Sequence, residues 1–582
     1  MLLRGIAAAP GLALAECLIV QPLPDPNTVA QNVASDQTES ELALFRYAVE
    51  VASAQLQSIA DRAAAAGETT RAEIIGAQVL MLTDPLLAEE VQEKISIRCY
   101  SAVRAVYETT EEQAAILAEL EDPYLRERSA DVKDVGQRIL GILMGVEQKD
   151  LSVLSADTIL VGREITPSQM ASLDTAKVKG IVAEIGGKTS HTAILANNME
   201  IAAVLGCQGL LAAVQDGMPI LIDGTQGTVE TEITPENREQ LRQEISRRRK
   251  VQASLLDLVD KPACTSDGFC VELAANIMDP AGAAKALNLG ADGIGLYRTE
   301  FLFMDRASAP GEQEQYEAYA KVLRAMNGKP VIIRTMDIGG DKEIAYLNLP
   351  KEENPFLGYR AIRICLADQA LFMTQLRAIL RAGVHGRALI MYPMIASLEE
   401  LQQANLILQA AKDSLRAEGI EFDEKLAAGI MVEIPSAAVT ADLLIKEAAF
   451  FSIGSNDLTQ YTLAVDRMNE RISKLYNHFQ PGVLRLIRSV IETANQAGGD
   501  KFAGMCGEMA SDPKATLLLL GLGMTEFSVN PAALLKIKKI ITSVDMSYAR
   551  EVAAKAMTLA TAEQIEAYLD SALPEAVREY LL

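Results

Sequence analysis

A histidine in a stretch rich in glycine and hydroxyl groups is the first feature of this chain that could do chemistry. Residues 186–192 read Gly-Gly-Lys-Thr-Ser-His-Thr, and His191 is one of only three histidines among 582 residues. An apolar run (180–185) precedes the stretch, and a helix-like run (193–199) follows it. His191 is therefore predicted at a strand-to-helix turn, where backbone N–H groups and the positive helix end favour an anion. Such a histidine is suited to carry a phosphoryl group on a ring nitrogen. The alternative is a capped turn with an incidental histidine.

The Gly-Lys-Thr sequence also resembles part of a nucleotide-binding P-loop, but its spacing excludes that motif. A P-loop requires a glycine five positions before its second glycine, where this chain has Val182. We therefore expect no nucleotide at this stretch.

Polar side chains follow a series of short apolar runs in the second half of the chain. The eight runs are 271–277, 293–297, 331–336, 388–394, 428–434, 450–454, 502–506 and 526–529. Helical or loop patterns separate them, and most end in residues able to bind or react. Eight strands alternating with helices predict a (β/α)₈ barrel, whose active site lies at the C-terminal ends of the strands.

A barrel would bring together six polar residues of these ends, namely Arg298, Arg334, Arg467, Glu433, Asn456 and Asp457. The three guanidinium groups offer forked donors for phosphate and carboxylate. The two carboxylates suit a hard divalent ion that keeps some of its water, and magnesium is the natural choice. The predicted substrate is therefore small, anionic and phosphorylated.

Cys506 lies between glycines at the end of the seventh run, in the sequence Gly-Met-Cys-Gly-Glu (504–508). A thiol at the rim of a barrel can donate a proton to a carbon centre. The alternative is a buried small apolar residue, which describes most free cysteines.

The seven cysteines show neither a disulfide framework nor a zinc spacing. The closest two cysteines, Cys264 and Cys270, have no second pair nearby that could complete a zinc site. Because the cysteines are odd in number and scattered, we expect a reducing compartment. The net charge of −24 argues against nucleic acid or an anionic membrane as partner and suits a basic protein. No apolar segment is long enough to cross a bilayer. These observations predict a cytoplasmic protein.

The chain is too long for one hydrophobic core, and its residue patterns predict three domains and a linker helix. Residues 1–22 and 146–233 show short β runs and turns and should form one α/β domain. Residues 23–145 are almost wholly helical in pattern, which predicts an inserted helical domain. Residues 234–260 form a linker helix, and residues 261–582 form the barrel. The predicted fold class is multidomain α/β.

Seven motifs in order resemble Enzyme I of the bacterial phosphoenolpyruvate-dependent sugar phosphotransferase system. Besides the histidine stretch, they are GLYRTEFLF (295–303), RTMDIGGDK (334–342), NPFLGYR (354–360), VEIP (432–435), SIGSNDL (452–458) and GMCGE (504–508). The resemblance covers essentially the whole chain in the same domain order.

The resemblance implies a role for each matching residue. His191 would be phosphorylated on Nε2 by phosphoenolpyruvate, and Cys506 would protonate the enolate as pyruvate forms. Glu433 and Asp457 would bind magnesium. The substrate would be held by Arg298, Arg334, Asn456, Asp457 and Arg467. The family also dimerises through its barrel, and its helical insertion docks the phosphocarrier protein HPr, which takes the phosphoryl group next.

The chain departs from the family pattern at two places. Lys188 replaces the usual arginine before Thr-Ser-His, so the forked donor is lost there. At the tip of the helical domain, where the family is acidic, this chain has Gly76-Ala77 and Pro85-Leu86-Leu87. We therefore expect a less electrostatic docking face, for HPr or an HPr-like domain.

Two other classes of protein are disfavoured. An ATP-dependent relative that shares the histidine domain and barrel would need an additional nucleotide-binding domain of about 200 residues. A non-catalytic scaffold would have lost His191, Cys506 or the arginines, and all of them are present.

Overall fold

The computed structural model describes residues 1–20, 24–29, 31–65, 69–118, 123–146, 151, 154–166, 169–170, 172–187, 190–199, 201–304, 306, 308–340, 344–347, 349–469 and 471–581. The chain divides into two compact units, residues 1–247 and 248–582.

An eight-stranded sheet forms the centre of the first unit. Its strands are Leu2–Arg4 (β1), Ile6–Ala9 (β2), Leu12–Ile19 (β3), Thr158–Gly162 (β4), Val178–Ala183 (β5), Ala202–Leu205 (β6), Pro219–Asp223 (β7) and Thr228–Glu230 (β8). The spatial order is β1-β8-β7-β3-β4-β5-β6-β2, with β3 to β6 parallel. Strands from both ends of this unit share the sheet, so the segment between β3 and β4 is an insertion.

The insertion is helical. Its helices are Thr38–Ala65 (α1), Thr69–Leu82 (α2), Pro85–Arg98 (α3), Ala102–Ala118 (α4) and Pro123–Leu143 (α5). Residues such as Phe45, Val91 and Ile139 pack between them in a single apolar core. Sequence sets the start of α3 sharply, because the side chain of Asp84 accepts a hydrogen bond from the Leu86 backbone and a proline follows at the first helical position.

Between the insertion and the barrel, the described part of the chain contains the helices His191–Asn198 (α6), Leu210–Ala213 (α7) and Pro235–Ser254 (α8). Ala193 and Ala196 of α6 pack against Leu160 and Ile181 on one face of the sheet. Because small residues line this contact, α6 lies close to the strands and holds its first turn at the end of β5.

A closed barrel of eight parallel strands forms the second unit and confirms the predicted fold class. The strands are Glu272–Ile277 (β9), Ile294–Arg298 (β10), Val331–Arg334 (β11), Ala388–Tyr392 (β12), Ala427–Val432 (β13), Phe451–Ile453 (β14), Ala503–Met505 (β15) and Glu526–Val529 (β16). They pair in chain order, and β16 closes on β9. Each strand matches one of the eight apolar runs.

Helices surround the barrel. They are Pro280–Asn288 (α9), Glu312–Ala325 (α10), Ile362–Ala367 (α11), Gln369–Ala382 (α12), Leu398–Glu418 (α13), Pro435–Val439 (α14), Ala441–Leu444 (α15), Ser455–Leu463 (α16), Pro481–Ala497 (α17), Pro513–Gly521 (α18), Leu534–Thr542 (α19), Met546–Ala556 (α20), Ala562–Ala572 (α21) and Glu575–Arg578 (α22). Their apolar faces and the outward faces of the strands form one continuous core. This core fixes the strand ends, and therefore the positions of the residues that follow them.

The prediction that the cysteines form no disulfide was wrong for one pair. Cys264 and Cys270 are joined by a disulfide and face each other in an isolated antiparallel bridge. A tight turn between them, with Gly268 at a φ of +89°, reverses the chain and brings the two residues opposite each other. The spacing alone did not reveal this turn.

Candidate active site

His191 is the first residue of α6, and the predicted position at a strand-to-helix turn is confirmed. The side chain of Ser190 accepts a hydrogen bond from the backbone N–H of Ala193 (3.3 Å) and caps the helix. Gly186, with a φ of +128°, carries the chain out of β5. The side chain of His191, together with residues 188 and 189, lies outside the described residues.

The other predicted site residues lie at one end of the barrel. Arg298 and Arg334 are the last residues of β10 and β11, and Glu433 directly follows β13. Asn456 and Asp457 lie in the first turn of α16, which follows β14, and Cys506 directly follows β15. Because the strands are parallel and closed, all these positions belong to the same rim.

Five buried charged residues form a continuous series of ion pairs across this rim, which we call the rim ion-pair chain. Arg334 contacts Glu300 (Nη2–Oε1, 2.7 Å) and Asp337 (Nη1–Oδ2, 3.0 Å). Arg360 contacts Asp337 (Nη2–Oδ1, 3.0 Å) and Asp457 (Nη2–Oδ2, 3.3 Å). All five residues are at most 6% exposed. Removing any one of them would leave each of its neighbours in the series with one ion pair fewer at a buried position.

The pKa values of the two arginines reflect this pairing. Burial acts to lower the pKa of Arg334, but the carboxylates of Glu300 and Asp337 outweigh burial, and the net shift is upward. The pKa of Arg360 behaves in the same way, with Asp337 and Asp457 as the opposing carboxylates. Both guanidinium groups are therefore held in the charged state in spite of burial.

Glu433 lies beside the rim ion-pair chain, at a position that disfavours its charged form. Its Oε1 atom accepts a hydrogen bond from the backbone N–H of Met394 (2.7 Å). Burial, followed by the charges of Asp457 and Asp337, raises the pKa of Glu433 to about 8. Because neighbouring carboxylates repel its charged form, a cation placed between them would relieve that repulsion.

The residues at this position fit a divalent cation. Asp457 Oδ1 accepts no hydrogen bond from any described residue, and Arg467 Nη1 lies 3.7 Å from it. A side chain at Gly454 would place its Cβ 2.9 Å from Glu433 Oε2, so glycine keeps that side of the carboxylate open. No group of three or more His, Cys, Asp or Glu side chains forms a complete metal site in the described part of the chain. Two carboxylates alone are the pattern that magnesium uses when water and substrate supply its other ligands.

Arg298 offers a guanidinium group for an anion. Burial, followed by repulsion from Arg334, lowers the pKa of Arg298. Among the described residues the side chain of Arg298 makes no hydrogen bond or ion pair, and the adjacent guanidinium group of Arg334 repels it. A phosphate or carboxylate group would stabilise both.

Asn456 is held by Glu508 rather than by the rim ion-pair chain. Its Nδ2 atom donates to Glu508 Oε1 (3.1 Å), and its Oδ1 atom accepts from the Glu508 backbone N–H (3.0 Å). The paired contacts fix the orientation of the carboxamide at the rim.

Cys506 is a buried thiol, 3% exposed, whose Sγ atom lies 3.8 Å from the carbonyl oxygen of Ile453. Burial raises its pKa to about 12, although Ser452 and Arg334 act in the opposite direction. The group is therefore a neutral thiol near pH 7 and holds a proton that it can donate.

Arg360 was missed as a site residue by the sequence analysis. It is the last residue of the motif NPFLGYR (354–360). Because this motif does not directly follow an apolar run, the sequence did not indicate that Arg360 lies at the rim. In the structure its Nη1 atom donates to the hydroxyl of Tyr461 (3.2 Å), and its guanidinium lies over the ring of Phe356. The feature of the sequence that could have identified Arg360 is that it is the single charged residue in a motif of otherwise apolar and turn residues.

Comparison with known proteins identifies the family. Three domain models of PEP-utilising enzymes match the chain, namely the N-terminal domain over residues 4–128, the mobile domain over residues 154–227 and the PEP-binding domain over residues 252–546. Phosphoenolpyruvate-protein phosphotransferases from Bacillus sp. (strain S) and Geobacillus stearothermophilus are each 43% identical over 567 residues, which is 97% of this chain and 97% of either relative. The chain belongs to the phosphoenolpyruvate-protein phosphotransferase family.

The family assignment confirms the resemblance found in the sequence. His191 lies in the part matched by the mobile domain, and the rim ion-pair chain lies in the part matched by the PEP-binding domain. A solution structure of Enzyme I is 32% identical and covers 42% of this chain and 99% of its own, with a TM-score of 0.38. None of the described helices is long and apolar enough to span a membrane.

Arg360→Met tests the rim ion-pair chain. The substitution leaves Asp337 and Asp457 buried without their shared cation, so we expect the free energy of unfolding of the second unit to fall by about 3–5 kcal/mol. Arg360→Lys, which keeps the charge, should lose less. Denaturant unfolding at neutral pH measures both values.

Arg416→Met is the matched control, because Arg416 also pairs with two carboxylates, Asp413 and Glu424, but on the surface. Its effect should stay at or below about 1 kcal/mol. If Arg360→Met lowered the free energy of unfolding no more than this control does, the rim ion-pair chain would not be a major source of stability.

Proposed function

We propose that this enzyme transfers the phosphoryl group of phosphoenolpyruvate to its own His191, releases pyruvate, and then passes the group to a histidine of HPr or an HPr-like domain. The observation that carries the proposal is the rim of the barrel, where the guanidinium groups of Arg298 and Arg334 repel each other and neighbouring carboxylates disfavour the charged form of Glu433. A substrate that bears phosphate and carboxylate and binds with a divalent ion would relieve both repulsions.

Each rim residue has a proposed task. Arg298 and Arg334 bind the phosphate, and Arg467 binds at the outer edge of the same site. Asn456, oriented by Glu508, donates a hydrogen bond to the substrate once it is bound. Asp457 connects the metal site to the rim ion-pair chain through Arg360. This arrangement positions the substrate and neutralises its charge, which is most of what phosphoryl transfer requires.

Glu433 and Asp457 would hold magnesium. When bound, the ion would supply charge neutralisation at the phosphate and carboxylate of the substrate. A metal held by two protein carboxylates leaves coordination positions for water and substrate oxygens, which is the usual mode of magnesium binding.

The reaction divides into two steps. In the first, the P–O bond of phosphoenolpyruvate breaks and a P–N bond to the imidazole of His191 forms, leaving the enolate of pyruvate. Cys506 then gives its proton to the methylene carbon, and the ketone form of pyruvate results. The covalent intermediate allows one donor to serve a separate protein acceptor. The start of α6, with its backbone N–H groups, stabilises the added negative charge.

The acceptor is proposed to be a basic protein, because the chain carries a net charge of −24. The helical insertion is the proposed docking site for HPr or an HPr-like domain. Leu86 at its predicted tip is 66% exposed, whereas Leu87 is buried. A homodimer formed through the barrel and a cytoplasmic location complete the proposal.

His191→Ala is expected to abolish labelling by ³²P-phosphoenolpyruvate in the presence of magnesium, because no other residue receives the phosphoryl group. The label on the wild-type protein should be acid-labile and alkali-stable, and it should be absent when EDTA removes the metal. Labelling of the variant at the wild-type level would show that His191 is not the nucleophile.

Cys506→Ala should slow pyruvate formation by about 100- to 10,000-fold, the usual contribution of a positioned proton donor. Phosphoryl exchange between His191 and the carrier should stay near the wild-type rate, because no carbon is protonated in that step. Cys365→Ala removes another buried thiol, one that lies in α11, and serves as the control. Equal pyruvate rates in the two variants would argue against Cys506 as the donor.

The docking face is tested by measuring phosphoryl transfer to purified HPr between 50 and 300 mM KCl. Because exposed apolar residues lie at this tip, we expect a salt dependence of about threefold or less and a loss of affinity in Leu86→Asp. Leu44→Asp changes another exposed leucine, which lies in α1 and is 51% exposed, and should have little effect. A steep salt dependence that is unchanged in Leu86→Asp would contradict this docking face.

A further inference from the structure

Glu526 is a carboxyl group buried inside the barrel. It is the first residue of β16 and is 3% exposed. Neither of its carboxyl oxygens has a hydrogen-bond partner among the residues that the structure describes. The interior of such barrels is normally filled by branched apolar side chains, and burying a polar group without a partner costs stability. A functional reason is therefore needed for this residue.

Two glycines make room for the carboxyl group. A methyl group added at Gly504 of β15 would overlap Oε2 of Glu526, and one added at Gly295 of β10 would overlap Oε1. The carboxyl group thus packs directly against the backbone of two strands. One of these strands, β15, leads to Cys506.

The Glu526 carboxyl group lies on the N-terminal side of Cys506, at the level of Gly504. Gly504 is two residues before Cys506, and residues two apart on a strand face the same side, separated by roughly 6–7 Å. The charge on Glu526 raises the pKa of Cys506, so the two groups interact electrostatically. Ser528, the next residue on the same face of β16, donates to Asn276 Oδ1 (2.6 Å). Asn276 Nδ2 in turn donates to the backbone carbonyl of Cys506 (3.1 Å).

Glu526 holds a proton near neutral pH. Burial, followed by the charge of Glu272, raises the pKa of Glu526 to about 8. Glu272 is the register partner of Glu526 on β9 and is exposed at the N-terminal end of the barrel. The buried proton of Glu526 therefore lies between the solvent at the N-terminal end of the barrel and the Cys506 thiol at the C-terminal end.

We propose that Glu526 returns a proton to Cys506 after each turnover. The inference rests on the proposed function of Cys506. Once the thiol has given its proton to the enolate carbon, a side-chain rotation brings the Glu526 carboxyl group into contact with the thiolate, which takes its proton, so that an S–H bond forms and an O–H bond breaks. The Glu526 carboxylate then regains a proton from water at the N-terminal end of the barrel. No net charge accumulates over the cycle.

Glu526→Gln keeps the shape of the side chain but removes the transferable proton. In rapid-mix experiments with excess phosphoenolpyruvate, magnesium and HPr, the first equivalent of pyruvate should form at the wild-type rate, because Cys506 starts as a thiol. Later turnovers should be slower by tenfold or more. Glu526→Asp, which retains a carboxyl group, should recover most of the later rate.

Ser528→Ala provides the control for a structural role. It breaks the hydrogen bond to Asn276 that positions Cys506, so we expect both the first and the later turnovers to slow by the same factor. If Glu526→Gln behaves like Ser528→Ala, or if its later turnovers match the wild-type rate, the proposal is overturned. Wild-type protein that forms no pyruvate would instead overturn the proposed function, and the role of Glu526 with it.

Discussion

The alternation of carboxylates and guanidinium groups across one end of the barrel is the interaction on which the site depends. From Glu300 through Arg334, Asp337 and Arg360 to Asp457, each buried charge is stable because its neighbours have the opposite sign. The rim ion-pair chain holds three carboxylates and two guanidinium groups, so its net charge is −1. At one side Arg298 adds a guanidinium group next to Arg334, and at the other Glu433 adds a carboxyl group whose charged form is disfavoured by the charge of Asp457. A phosphorylated anion would relieve the repulsion between the two arginines, and a divalent cation would stabilise the ionised form of Glu433.

The barrel makes this arrangement possible because it brings eight strand ends to one rim while keeping water out of the layers below. The same dry interior sets the protonation of Cys506 and Glu526. Burial raises the pKa of the Cys506 thiol to about 12 and that of the Glu526 carboxyl group to about 8. Both groups therefore hold protons near neutral pH, and the weaker acid, the thiol, lies nearer the rim. Low polarity in the interior would thus serve the proposed proton transfer, and paired charges at the rim would serve the proposed phosphate binding.

Much of this could be predicted from the sequence, for identifiable reasons. The eight barrel strands matched eight apolar runs, because buried parallel strands are apolar on both faces. Residues at the strand ends, such as Arg334 and Glu433, could be placed at the rim because parallel strands end together. Arg360 could not, since a loop sets its position and only side-chain geometry shows that it joins Asp337 to Asp457. The Cys264–Cys270 disulfide was missed because the turn that pairs them leaves little trace in the spacing. The burial of Glu526 could not be predicted, because in the sequence it resembles an ordinary polar residue at the start of a strand.

Titration calorimetry with His191→Ala, which binds phosphoenolpyruvate without turning it over, tests the central claim most directly. If the rim binds anion and cation as a coupled pair, magnesium should tighten phosphoenolpyruvate binding by about tenfold or more, and phosphoenolpyruvate should tighten magnesium binding by the same factor. Glu433→Gln in the same background should remove most of this coupling. Phosphoenolpyruvate affinity that is the same with and without magnesium would contradict the account.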